Sequence, residues 1–112
     1  MGEMAVLRQV LDACGRGEVR LFRNNTGALE DKTGRIVRYG LCKGSSDLIG
    51  WRSVEVTPDM VGQRVAVFVA LEVKDRGRLT AEQAVFLRAV EQAGGIAAEV
   101  RSVADAEAAL RR

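Results

Sequence analysis

Apolar residues recur at two different spacings along this chain, and the changes of spacing divide it into elements. Met4, Leu7, Val10, Leu11 and Cys14 return every three or four positions. This is the stripe of an amphipathic helix, which Gly15 and Gly17 end. "VRLFRNN" then reads as a short strand closed by the turn residues of "NNTG". "GALEDKTGRIVRYG" reads as a hairpin bent at "DKTG", and the Gly/Ser loop in "GLCKGSSDLIGW" runs into a strand that "DLIGWRSVEV" continues. "TPDMVGQ" is a turn carrying the only proline, Pro58. The most apolar run, "VAVFVALEVK" from Val65 to Lys74, predicts a strand buried on both faces.

The second half carries clearer punctuation. "TAEQAVFLRAVEQAGG" predicts a helix with Thr80 as N-cap, and Gln83 three residues on completes a capping box. Phe86, Leu87 and Val90 form its expected buried stripe, and Gly94 with Gly95 stop it. "IAAEV" is a last strand and "SVADAEAALRR" a last helix capped by Ser102. The order is α-β-β-β-β-α-β-α, an α/β sandwich with a mixed sheet between helices. The apolar run, the helix after Thr80 and "IAAEV" make one strand–helix–strand unit, for which parallel pairing and a right-handed crossover are expected.

Within this frame, Glu72 and Lys74 need explaining, because charged residues rarely enter a buried strand. Side chains alternate along a strand, so the two project from one side while Val73 points to the other. Asp47 opens the strand after "KGSS". If these strands are neighbours, Asp47 and Glu72 face each other, and two carboxylates with the Val73 carbonyl form a hard oxygen site suited to Mg²⁺ or Mn²⁺. Lys74 would orient a bound water or balance charge on a phosphate. Taken alone, the pair is better read as a solvated ion pair at a strand end, and Asp47 is equally read as an Asx-turn residue.

Composition narrows the chemistry. The chain has 112 residues, enough for one domain spanning 1–112 with a modest core. It contains no histidine, which removes Ser-His-Asp and Cys-His catalysis and His-ligated zinc. Two cysteines, Cys14 and Cys42, resemble no zinc cluster or disulfide framework and are expected to be reduced thiols in a cytoplasmic protein. The N-terminus has neither the signal-peptide pattern nor a membrane-anchor stretch. "GLCKGSS" lacks the P-loop spacing, so no nucleotide cofactor is expected. A net charge of +2 neither requires nor excludes nucleic acid. Arg20, Arg23, Arg35 and Arg38 on or beside the early strands offer a basic rim, with solvation as the ordinary alternative.

Asp47 in "SSD" followed by "LEVK" resembles the PD-(D/E)xK nuclease pattern. In order, "RNNTG", "YGLCKGSSDLIG", "LEVKDRGRLTAEQAVFL" and "AGGIAAEVRSVADA" closely resemble the VRR-NUC domain, the virus-type replication-repair nuclease branch of that superfamily. "SSD" stands where the superfamily's name has Pro-Asp. The resemblance runs from about Val19 to Ala109 and suggests a stand-alone, phage-type member. It implies a restriction-endonuclease-like core and a metal-dependent DNA phosphodiesterase. It also implies Asp47 and Glu72 as metal ligands, Lys74 as catalytic, Gln83 as an accessory site residue, and Glu3 as the first helix's glutamate. Arg23, Asn24, Lys43, Ser45 and Ser46 are the expected DNA contacts. The substrate expected is branched DNA such as four-way junctions, cut by a homodimer that presents two sites, with Met60 and Val61 in the interface. Flap or structure-selective nicking, and a DNA-binding module that does not cut, are the alternatives.

Overall fold

The computed structural model describes residues 2–111. It contains two compact units, divided between Arg52 and Ser53, and no described helix is long and apolar enough to cross a membrane.

The first unit opens with helix α1, Glu3–Cys14, which ends at Gly15 and packs on strand β1, Val19–Arg23. Leu7 and Leu11 are its half-buried positions, whereas Met4, Val10 and Cys14 are exposed. β1 pairs antiparallel with β4, Leu48–Arg52, from Val19↔Arg52 to Arg23↔Leu48. This ladder needs the glycine of "LIGW". A Cβ on Gly50 would run into the Arg20 carbonyl, lying 2.8 Å from its carbon, so only glycine lets the two backbones approach. Phe22 and Trp51 are half-buried, with ring centroids 5.6 Å apart. Between β1 and β4 stands a separate hairpin of β2, Gly27–Glu30, and β3, Ile36–Tyr39.

The second unit is a strand–helix–strand–helix: β5 Val69–Val73, α2 Ala81–Gln92, β6 Ile96–Val100 and α3 Val103–Leu110. β5 and β6 pair in parallel from Val69↔Ile96 to Val73↔Val100, the pairing the sequence predicts. Both helices pack on β6. Val90, Ala97, Val100 and Ala109 are buried there, so the core is made of small residues from α2, β6 and α3.

Several expectations change. Five strands precede α2 rather than four, because the hairpin contributes two. The described strands form three two-stranded sheets in place of one continuous mixed sheet. β4 ends at Arg52, and "SVEV" is not strand. The apolar run is a strand only from Val69, because its partner β6 offers five residues and begins at Ile96, just after the Gly94–Gly95 turn. Nor is it buried on both faces. Phe68, Ala70, Leu71, Glu72 and Lys74 are half-buried, while Val65, Ala66, Val67, Val69 and Val73 are exposed. Phe86 is also exposed, since α2 turns Gln83, Leu87 and Val90 inward instead.

The hairpin bend has an electrostatic anchor. Asp31 Oδ1 accepts hydrogen bonds from Thr33 N (2.8 Å), the Thr33 hydroxyl (2.6 Å) and Arg35 N (3.0 Å). The Thr33 hydroxyl, then the Arg35 and Thr33 amides, favour the ionised carboxylate and hold its pKa below the ordinary 3.8. A lowered folded-state pKa gives stability that is present above the ordinary value and lost as pH falls through the lowered one. Amide exchange at Thr33 and Arg35 should therefore accelerate selectively, relative to β1, below about pH 3.9. Asp31→Asn should weaken that pH dependence, and an unchanged profile would contradict the anchor.

Candidate functional site

The end of β5 places Glu72 and Lys74 on one side of the strand, both half-buried. Lys74 Nζ lies 3.7 Å from Glu72 Oε1, with side-chain exposures of 18% and 33%. A second contact fixes the carboxylate more closely, since Gln83 Nε2 donates to the same Oε1 at 2.9 Å. Gln83 can reach it because α2 begins just beyond the turn that follows β5.

Gln83 has two roles, and each end of its amide has one. Thr80 Oγ1 accepts from Gln83 N at 3.1 Å, and Gln83 Oε1 accepts from Thr80 N at 3.0 Å, completing the capping box. With its oxygen tied to the helix cap, the amide can present only its NH₂ group to Glu72. The cap thereby sets the orientation of the site residue.

Two residues that sequence reasoning passed over complete this neighbourhood. Glu99 stands directly across from Glu72 in the β5–β6 register, so its side chain lies on the same face. Arg101 pairs with Glu99 at 2.5 Å. It also donates to the carbonyls of Asp75 (3.3 Å) and Gly77 (2.6 Å), tying down the turn after Lys74. The alternation of "IAAEVR" could have flagged Glu99, but nothing local to Arg101 announces a bond to residues 24 and 26 positions away.

In the first unit Asp47 is exposed at the entry to β4. The loop before it is held by Asn24, the one buried polar residue among those described. Asn24 Nδ2 donates to Ser45 Oγ (2.7 Å) and the Ser46 carbonyl (2.9 Å), and Oδ1 accepts from Leu41 N (2.9 Å). Both amide hydrogens are thus occupied inside the protein, and the Ser45 hydroxyl is likewise engaged, donating to the Cys42 carbonyl at 2.6 Å. Arg23, Lys43 and Ser46 are exposed. The Arg20 guanidinium lies 5.7 Å from the ring centroids of both Phe22 and Trp51. Glu3 and Asp47 line one cavity of about 320 Å³ together with Val6, Leu7 and Leu48.

The structure therefore gathers Glu72, Lys74 and Gln83 in one unit, and Asp47, Glu3 and the loop residues in the other. Among the described residues no three His, Cys, Asp or Glu side chains converge on one point. The donor set still suits a hard divalent cation, being carboxylate and carbonyl oxygen throughout. Lys74 N donates to the Val100 carbonyl at 3.0 Å. In a planar trans peptide the Val73 carbonyl then points the opposite way, away from β6 and out of that ladder.

The family model described as "VRR-NUC domain" matches residues 21–104. The chain belongs to the VRR-NUC family. The match covers Asp47, Glu72, Lys74 and Gln83, runs through both compact units, and begins after α1, so Glu3 lies outside it. Membership makes this a nuclease-type protein, a hydrolase with DNA as substrate. No curated protein and no solved structure matches the chain.

The double role of Gln83 can be separated by one substitution. Gln83→Glu keeps the capping box and gains up to about 1 kcal/mol from a negative charge at a helix N-terminus. It also replaces a hydrogen bond to a carboxylate, worth about 1.5–3 kcal/mol, with a like charge. A net loss of roughly 1–2 kcal/mol is expected at pH 7. In a Glu72→Gln background, where the like charge is gone, the same substitution should cost much less. Thermal melts in the two backgrounds check this, and equal losses in both would contradict the Gln83–Glu72 contact.

Proposed function

We propose that this VRR-NUC protein is a Mg²⁺- or Mn²⁺-dependent DNA endonuclease that acts on branched DNA such as four-way junctions. The observation that carries the reading is the Glu72 carboxylate oxygen shared by the Gln83 amide and the Lys74 ammonium. A surface ion pair needs no such support. A ligand that must be held in one orientation does.

Asp47, Glu72 and the Val73 carbonyl would hold the cation, with the two compact units forming one restriction-endonuclease-like domain of residues 1–112. When bound, such an ion polarises a phosphoryl oxygen and lowers the pKa of its water. The chain's own residues supply the rest. Gln83 keeps one oxygen of Glu72 from rotating, which leaves the other as the oxygen for the cation. Lys74, beside that carboxylate, orients the attacking water and balances charge gathering on the phosphate. Arg23, Lys43 and Ser46 hold the DNA backbone. Lys43 and Arg38 also line a depression of about 530 Å³ beside the β2–β3 hairpin. Among the described residues neither is paired with a carboxylate, which leaves both cations available to phosphates.

A homodimer fits a junction, because two equivalent sites would meet two symmetry-related strands. Val61 is 85% exposed and Val56 80%, which supports an apolar interface around the Pro58–Met60 turn. Reduced Cys14 and Cys42, both exposed and unbonded, suit a cytoplasmic setting.

Labelled linear, flapped and four-way DNA incubated with Mg²⁺, Mn²⁺ or chelator tests the reading. Junction cleavage is expected with either cation and none with chelator. Glu72→Gln and Lys74→Ala should each lower the rate by at least about 10²-fold while leaving DNA affinity largely intact, since backbone contacts lie elsewhere. Cleavage that survives in chelator, or in both variants, would reject the proposed chemistry.

A further inference from the structure

We propose that Asn24 is a positioning residue for Asp47, fixing through the backbone on both sides of it the direction in which its side chain leaves the chain; this rests on the metal-binding reading above. Two peptide planes flank the Asp47 Cα, and each carries a carbonyl bonded to Asn24. The carbonyl of Ser46, in the plane before it, accepts from Asn24 Nδ2 at 2.9 Å. The carbonyl of Asp47 itself, in the plane after it, accepts from Asn24 N at 2.8 Å. With both planes held, the two backbone torsions of Asp47 are fixed, and with them the direction in which Cβ leaves the chain.

The clamp is itself locked. Asn24 Oδ1 accepts from a backbone N–H, that of Leu41, while Nδ2 donates to a backbone carbonyl. Turning the amide over would set oxygen against oxygen and N–H against N–H, so only one orientation satisfies both. Ser45 reinforces it. Its hydroxyl accepts from Asn24 Nδ2 at 2.7 Å and from Cys42 N at 3.3 Å, and donates to the Cys42 carbonyl at 2.6 Å. Ser45 N also donates to the Cys42 carbonyl at 3.0 Å, closing the loop on itself. Asn24 itself is only 9% exposed and its side-chain bonds are part-buried, which shields them in part from competing water, whereas the Ser45–Cys42 bonds lie at the surface. Asp47 stands exposed at its edge, held by its backbone and free at its carboxylate.

This arrangement does for a metal ligand what hydrogen-bonded outer partners do in metal sites generally, where their loss weakens metal affinity about 10–100-fold. It also separates two roles for the "RNN" segment. Asn24 shapes the loop from inside, and contact with DNA falls to its exposed neighbours.

The test reads Mn²⁺ binding without DNA or turnover, by the electron paramagnetic resonance signal of free Mn²⁺ titrated with the full chain. Asn24→Leu keeps the size of the side chain and removes all its polar atoms. It should weaken Mn²⁺ binding about 10–100-fold, while affinity for four-way DNA in chelator stays within about 2-fold, because phosphate contacts are spread over many cations. Ser45→Ala, which removes one partner of the clamp, should give a smaller shift in the same direction and carries the test if Asn24→Leu fails to fold. Asp47→Ala is the reference and should abolish the same binding. Unchanged Mn²⁺ affinity in the folded Asn24 or Ser45 variant, with binding lost in Asp47→Ala, would overturn the positioning role and leave the metal reading standing. Unchanged binding in Asp47→Ala would remove Asp47 from the metal site, and the proposal with it.

Discussion

A carboxylate at the end of a strand rotates freely unless something holds an oxygen, and in this protein the Gln83 amide holds Glu72. That bond depends on a second one, between the amide oxygen and the backbone N–H that opens α2. A helix start must satisfy its first N–H groups in any case. Here the residue that does so also faces the strand that precedes the helix. Helix capping and site geometry are consequently one structure, and weakening one end of the Gln83 side chain disturbs the other.

The first unit solves the same problem by a different route. Asp47 has no side chain beside it to play the part of Gln83 among the hydrogen bonds described, and what is set there is the direction of its Cβ, by the backbone. Asn24 holds the peptide before it and the peptide after it. The candidate site residues are therefore carried on elements whose geometry is set by short bonds to buried or capped groups, as a preorganised site requires. Charge is arranged to the same end in the second unit. Arg101 takes up Glu99, the carboxylate beside Glu72, and leaves Lys74 to Glu72 alone.

What was legible in the sequence was what local chemistry decides. Thr80 and Gln83 announce a helix start because a capping box is complete within four residues, and Ser102 does so by the same bond to the amide three residues on. Gly15 stops α1 as read. The pairing of β5 with β6 followed from the helix between them. Strand extents were less legible, because a strand lasts only as long as its partner. Val65–Val67 has the composition of a strand, yet β6 begins at Ile96 and leaves it unpaired. The same run read as doubly buried because nearly every position is apolar, whereas Val65, Ala66 and Val67 lie before the paired strand and are exposed, as are Val69 and Val73 at its ends. The pattern of Asp47, Glu72 and Lys74 was visible as residues in order, and the family match spans all three. The role of Asn24 was not, since its bonds reach 17 to 22 residues along the chain to backbone groups that have no sequence signature.

Under the proposed function, Asp47 and Glu72 hold one divalent cation, with Lys74 and Gln83 beside it. A crystal structure of the protein grown with Mn²⁺, with the metal located by its anomalous scattering, measures this directly. A single site contacted by both carboxylates and by the Val73 carbonyl, each at roughly 2.0–2.6 Å as hard cations require, is the result expected. Density for Mn²⁺ elsewhere, or Asp47 and Glu72 on opposite faces of the fold with no shared ion, would contradict it.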